Sequence, residues 1–161
     1  MIMQTVGQSS QQDRASAGLG SAHPTGAVSG SVRTILRLEG LAVCAAAAAA
    51  YAQAGGSWTW FALLFLAPDL SFIGYLAGPR VGAATYNLAH SHAGAFALAG
   101  AGCAIGAPLV SAAGLIWIAH IGFDRCLGYG LKYPTSFNDT HLGRIGRLAA
   151  TASGTPPPST G

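Results

Sequence analysis

The sequence predicts an all-α protein, a four-helix transmembrane bundle with disordered N- and C-terminal tails. Three observations carry this prediction. Of 161 residues 51% are hydrophobic and only 8% are charged, against roughly a quarter charged in a soluble domain; mean hydropathy is +0.43. Four apolar segments, near residues 34–53, 58–76, 81–104 and 109–128, each approach the roughly 20 helical residues that cross a hydrocarbon core. The connections between them are short and rich in glycine and proline, which forces antiparallel neighbours.

Residues 1–31 are rich in Gln, Ser, Gly and Ala, without apolar periodicity or a signal-peptide core, and read as a disordered cytoplasmic tail. The membrane domain then occupies residues 32–147, closing with a cytoplasmic interfacial segment, and residues 148–161, with Pro156-Pro157-Pro158, form a second disordered tail. The first span contains the uninterrupted run Ala45 to Ala50, and the third the spacing Gly102-x-x-x-Gly106. Both allow close helix approach. The breaks are Gly55-Gly56-Ser57, Gly78-Pro79-Arg80 and Gly106-Ala107-Pro108.

Charge placement gives orientation. Arg33 and Arg37 precede the first span, Arg80 lies between the second and third, and Arg125, Lys132, Arg144 and Arg147 end or follow the fourth. The other two connections carry no Lys or Arg, so both termini are expected in the cytoplasm, with the protein multi-pass in the inner membrane. Trp58 and Trp60 then anchor the outer interface. The net charge of +3 comes from residues scattered singly beside apolar runs, which is topology signalling and excludes a nucleic-acid-binding surface. Cys44, Cys103 and Cys126, without paired spacing, indicate neither a disulfide framework nor a cysteine zinc site and read as small core residues.

The polar residues concentrate in one half of this ladder. At 1.5 Å per helical residue, Asp69 and His90 lie ~13 Å, and His120 ~12 Å, from the cytoplasmic ends of their spans. Glu39, Asn87 and Asp124 lie shallower by about one or two turns. His120 and Asp124 are four apart, Asn87 and His90 three apart, and Tyr86 and His90 four apart, so each pair shares a helix face. A carboxylate four residues from a histidine can take its ring N–H and make the other nitrogen a better base or ligand. Pro68 removes a helical hydrogen bond just before Asp69 and invites a break in mid-membrane, where broken helices line cavities. A charge at that depth costs about 2.5 to 3.5 kcal/mol, which favours function over packing for Asp69, His90, His120 and Asp124. His92 falls on the opposite helix face and is left out, and Arg125 snorkels to the interface. Asp139 and His141, in the segment after the fourth span, either fold over the cytoplasmic mouth as ligands or lid, or belong to a surface segment anchored by Tyr133 and Phe137.

Leu66-Ala67-Pro68-Asp69-Leu70-Ser71, Gly74-Tyr75-Leu76-Ala77-Gly78-Pro79-Arg80-Val81-Gly82, Tyr86-Asn87-x-x-His90, His120-Ile121-Gly122-Phe123-Asp124-Arg125, Gly128-Tyr129-Gly130-Leu131-Lys132-Tyr133-Pro134 and Asp139-Thr140-His141-Leu142-Gly143 resemble the domain of unknown function 4260 family of small bacterial integral membrane proteins. The resemblance runs from about Leu36 to Arg147 and implies a fold but no activity. More loosely, Pro68-Asp69, His90 and His120-x-x-x-Asp124 resemble the LexA-binding type of membrane-bound metal-dependent hydrolase, although the His-Arg pair typical there is missing.

Two classes of function follow. One is a membrane enzyme in which Asp69, His90, His120 and Asp124 hold a divalent ion (zinc, manganese or iron) that activates water against a lipid-like or amphiphilic substrate. The other is a non-enzymatic membrane protein that uses the same groups for proton or small-ligand binding, helix packing or the assembly of a homo-oligomer.

Overall fold

The computed structural model describes residues 27–145. The expected C-terminal tail lies outside the described residues, as does the expected N-terminal tail apart from residues 27–31. Within residues 27–31 the first helix starts at Gly30, a turn earlier than expected, and Val28 N–H donates to the His141 carbonyl.

Between Gly30 and Leu127 the described chain consists of helices joined by short turns. Helix α1 spans Gly30–Gln53 and α2 spans Trp58–Phe65, continued by a 3₁₀ helix over Ala67–Ala77. Then come α3 (Pro79–Ala89), α4 (His92–Ala104) and α5 (Pro108–Leu127). A two-stranded antiparallel hairpin, β1 (Asp139–Thr140) and β2 (Gly143–Arg144), follows with Asp139 opposite Arg144. The glycines expected to break the spans, Gly55, Gly78 and Gly106, adopt φ of 73°, 107° and 67°, and Gly128 ends α5 at 96°, the left-handed region that a residue without Cβ enters freely.

Three helical stretches among the described residues are long and apolar enough to cross a membrane: Gly30–Gln53, Trp58–Ala77 and Pro108–Leu127. Their large side chains face outward; Leu63, Leu66, Leu70, Ile73 and Leu76 are 61–89% exposed. A surface this apolar has lipid as its solvent, and the protein is a membrane protein. Trp58 and Trp60 are exposed at the start of the second stretch.

The remaining apolar segment, expected as one span over residues 81–104, is two helices broken at His90 and Ser91. Ser91 caps α4 by accepting from the Ala93 N–H. A break inside lipid is tolerated only where the freed backbone groups find partners. Here α5 supplies them: the Trp117 indole N–H donates to the Ala89 carbonyl and the Arg125 guanidinium to the His90 carbonyl (2.9 Å). Arg125 therefore does not snorkel; it is buried and also donates to the Tyr129 carbonyl. The expected break at Pro68 is present as the switch from α to 3₁₀ geometry after Phe65. Eleven residues make a long 3₁₀ run, since such helices rarely exceed three or four.

Small residues set the packing around α5. A Cβ on Gly122 would lie 2.7 Å from the Cys44 amide nitrogen and 2.8 Å from the Gly40 carbonyl of α1, so the two backbones touch at this crossing. On the other side Gly114 meets Ala99, and Gly102 meets Ser111 of α5. The glycine pair of α4 thus divides its roles: Gly102 packs, while Gly106 only forms the turn. Cys44 and Cys126 are half-buried, whereas Cys103 is exposed, contrary to the core role expected for all three.

The segment after α5 folds back onto α3 and the 3₁₀ helix. The Asn87 amide donates to the Lys132 carbonyl and accepts from the Lys132 N–H (2.9 and 2.7 Å). Phe137 packs on Phe72 and Tyr75. Lys132 is buried, with its ammonium 3.9 Å above the Phe137 ring and donating to the Phe137 carbonyl; burial lowers its pKa. His141 accepts the Leu131 N–H at Nδ1 (2.8 Å). Burial, and secondarily the positive charge of Arg125, pushes its pKa below the ordinary value.

Two outcomes follow. Gly122→Ala must separate α1 from α5 and is expected to cost about 1–3 kcal/mol. Gly100→Ala, whose Cβ would meet nothing within 4 Å, is expected to be neutral or slightly stabilising; thermal unfolding in one detergent compares them. Because the folded state disfavours protonated His141, docking of residues 129–145 is full above about pH 6.5 and weakens as pH falls below it. Hydrogen exchange, corrected for intrinsic rates, should show this loss of protection, and His141→Gln should remove the part of the pH dependence that His141 contributes.

Candidate metal centre

Each helix break delivers one side chain to the same point. Asp69 lies in the first turn of the 3₁₀ helix, and His90 is the residue that ends α3. His120 and Asp124, one turn apart on α5, face them. These four residues can each offer one ligand atom, and the four atoms lie within 4.8 Å of one another.

The separations are specific. His90 Nε2 is 3.2 Å from His120 Nε2, 3.4 Å from Asp69 Oδ1 and 3.5 Å from Asp124 Oδ2. His120 Nε2 is 3.6 Å from Asp69 Oδ1 and 3.9 Å from Asp124 Oδ2. A tetrahedral ion with bonds of about 2.1 Å holds neighbouring donors about 3.4 Å apart. The five separations scatter around that value.

Each donor is oriented by a second contact or by packing. The His90 ring stacks on Tyr86 (3.7 Å between centroids), and its Nδ1 lies 2.9 Å from the Tyr86 carbonyl. That carbonyl can only accept, so Nδ1 carries the proton and Nε2 presents a lone pair to the cluster. Tyr86 also donates its hydroxyl to Asp124 Oδ2 (3.2 Å). Phe65 meets the His120 ring edge-on. His120 Nδ1 is buried without a hydrogen-bond partner among the described residues, which leaves Nε2, facing the other three donors, as its interacting atom.

Charge makes the same point. The cluster assembles two carboxylates, while the nearest cations are committed elsewhere: Arg125 to the carbonyls of His90 and Tyr129, Lys132 to Phe137. Exposure falls from 37% at Asp69 through 13% at Asp124 to 2% and 0% at His120 and His90. A carboxylate pair so placed is stabilised by a divalent cation, and two imidazoles with two carboxylates suit zinc, manganese or iron.

The other expected polar residues stay outside. Asn87 holds Lys132. Glu39 is exposed on α1 and has no ion pair among the described residues. Asp139 pairs with Arg144 (3.1 Å) and accepts from Thr135, and His141 is held by Leu131. The segment therefore folds back over the bundle without adding ligands. Tyr86 shares its face with His90 as the spacing predicts, whereas Trp117 and Arg125 are the contributors that sequence reasoning passed over or assigned elsewhere. Trp117, His120 and Asp124, spaced by three and four, form one helix face, and that spacing was the available signal.

No curated protein and no solved structure shows significant similarity to the chain, so the looser likeness to metal-dependent hydrolases has no counterpart there. The model of one family, described as a domain of unknown function (DUF4260), matches residues 33–145. The chain belongs to that family.

Proposed function

We propose that the protein is a membrane-embedded metal-dependent hydrolase whose divalent ion is held by Asp69, His90, His120 and Asp124. The observation that carries this reading is the convergence of four ligand atoms, from three separate helical elements, to within 4.8 Å of one another. Such an ion would supply an activated water at neutral pH, held in a coordination position beyond those the protein fills. The protein's own residues do the rest. His90 and His120 would hold it through Nε2, and Tyr86 orients Asp124 and the His90 ring. Asp69, the most exposed of the four, borders the side from which a reactant arrives. A centre among apolar spans meets lipid-like or amphiphilic substrates.

Arg33 and Arg37 at the start of α1 lie against Cys126 and Gly128 at the end of α5, and this shared positive end supports a cytoplasmic location for both termini and for residues 129–145. In a bacterial cell this is the inner membrane. Nothing in the geometry requires a homo-oligomer to complete the centre, since one chain supplies all four ligands.

Elemental analysis of the detergent-purified protein should find about one divalent ion per chain. His90→Ala and His120→Ala should each lose it, and an unmutated protein without stoichiometric metal sinks the proposal. Arg125 acts through position. Arg125→Met leaves the His90 and Tyr129 carbonyls without their donor, which should cost about 1–3 kcal/mol for each orphaned group. In a cobalt-substituted protein it should also perturb the ligand-field spectrum, a change that loss of stability alone would not cause.

A further inference from the structure

Beside the metal centre lies a cleft of about 350 Å³, within the range of small-ligand sites, about 300 to 1,000 Å³. Its walls include Ala67, Pro68 and Ser71 of the 3₁₀ helix, Ala89 of α3, and Ala113 and Trp117 of α5. Two of these residues adjoin donors of the centre in sequence: Pro68 precedes Asp69 and Ala89 precedes His90. The lining is almost wholly apolar, made small by alanine, and floored by an indole that its hydrogen bond to the Ala89 carbonyl holds in place. One polar group breaks the pattern. Ser71 Oγ is buried and has no hydrogen-bond partner among the described residues, two positions from Asp69.

We infer that this cleft binds one hydrocarbon chain of an amphiphile drawn from the bilayer. The cleft opens among mid-span residues, where the surrounding medium is hydrocarbon, so an alkyl chain is the occupant present in excess. A water-soluble polar ligand would leave its own groups unpaired against alanine and proline. A second protein chain is a poorer fit, because a cleft of about 350 Å³ holds an alkyl chain but not a helix about 10 Å across. The binding claim stands on the cleft alone. That the chain carries its polar end to the reacting centre rests on the metal-centre reading.

Trp117 makes the test direct. The protein has three tryptophans, so Trp58→Phe with Trp60→Phe leaves Trp117 as sole reporter. In nanodiscs of unbrominated phosphatidylcholine, a lysophosphatidylcholine brominated at mid-chain is titrated in. Saturable quenching of Trp117, reversed by the unbrominated lysolipid, is expected. Ala113→Phe, which fills the cleft, should weaken the apparent affinity by about tenfold or more; Ser71→Leu fills it from the opposite wall should the first variant not fold. Quenching that rises in proportion to the probe fraction without a plateau, or that ignores the competitor, overturns the inference. Metal content measured on the same samples separates the two ideas. Saturable quenching without metal keeps the cleft and removes the hydrolase, whereas metal with proportional quenching does the reverse.

Discussion

A backbone carbonyl released in the middle of a bilayer has no water to turn to, and the architecture depends on where those of Ala89 and His90 turn instead. Both find side chains of α5: the indole of Trp117 and the guanidinium of Arg125. Without these donors the third apolar segment would have to remain one continuous helix, and His90 would be a side chain on a cylinder rather than the residue at a helix end. The interruption gives the His90 ring room to stack on Tyr86 and bond that residue's carbonyl.

The same logic operates on the facing element. Pro68 cannot donate, the helix tightens to 3₁₀ geometry, and Asp69 lies in the first tightened turn. Two irregular segments thus meet a regular one, α5, which is held on its outer sides by backbone contact at Gly122 and Gly114. Rigidity where α5 is clamped and irregularity where the donors emerge are complementary. Ligands must be fixed within a fraction of an ångström, and a straight helix pinned by glycine contacts is a firm base for half of them.

Much of this was legible beforehand. Span positions follow from apolar length, turns from Gly55, Gly78 and Gly106, and the common depth of Asp69, His90 and His120 from counting residues along helices. The break at Pro68 was legible because proline changes the chain covalently. The break at Ser91 was not, since serine inside an apolar run is equally at home in an intact span, and only donors arriving from α5 make the interruption affordable. Arg125 failed for a related reason. An arginine near the end of a span reaches outward to the interface or inward to a carbonyl with the same sequence neighbours, and tertiary geometry alone decides. Asp139 and His141 carried ligand-type chemistry, but local partners, Arg144 and Leu131, claimed it first.

Asn87 offers one last consequence. Its amide engages both the N–H and the carbonyl of Lys132, as a neighbouring strand would, so a single side chain serves as one rung of a ladder. That rung stands three residues, less than one helical turn, from His90. The covering segment and the histidine therefore share a mechanical fixture. By thermodynamic reciprocity, any coupling carried through Asn87 is the same free energy in both directions, from histidine to cover and from cover to histidine. A chain with few polar groups to spare thus uses one amide to tie the covering segment to the helix turn that ends at His90.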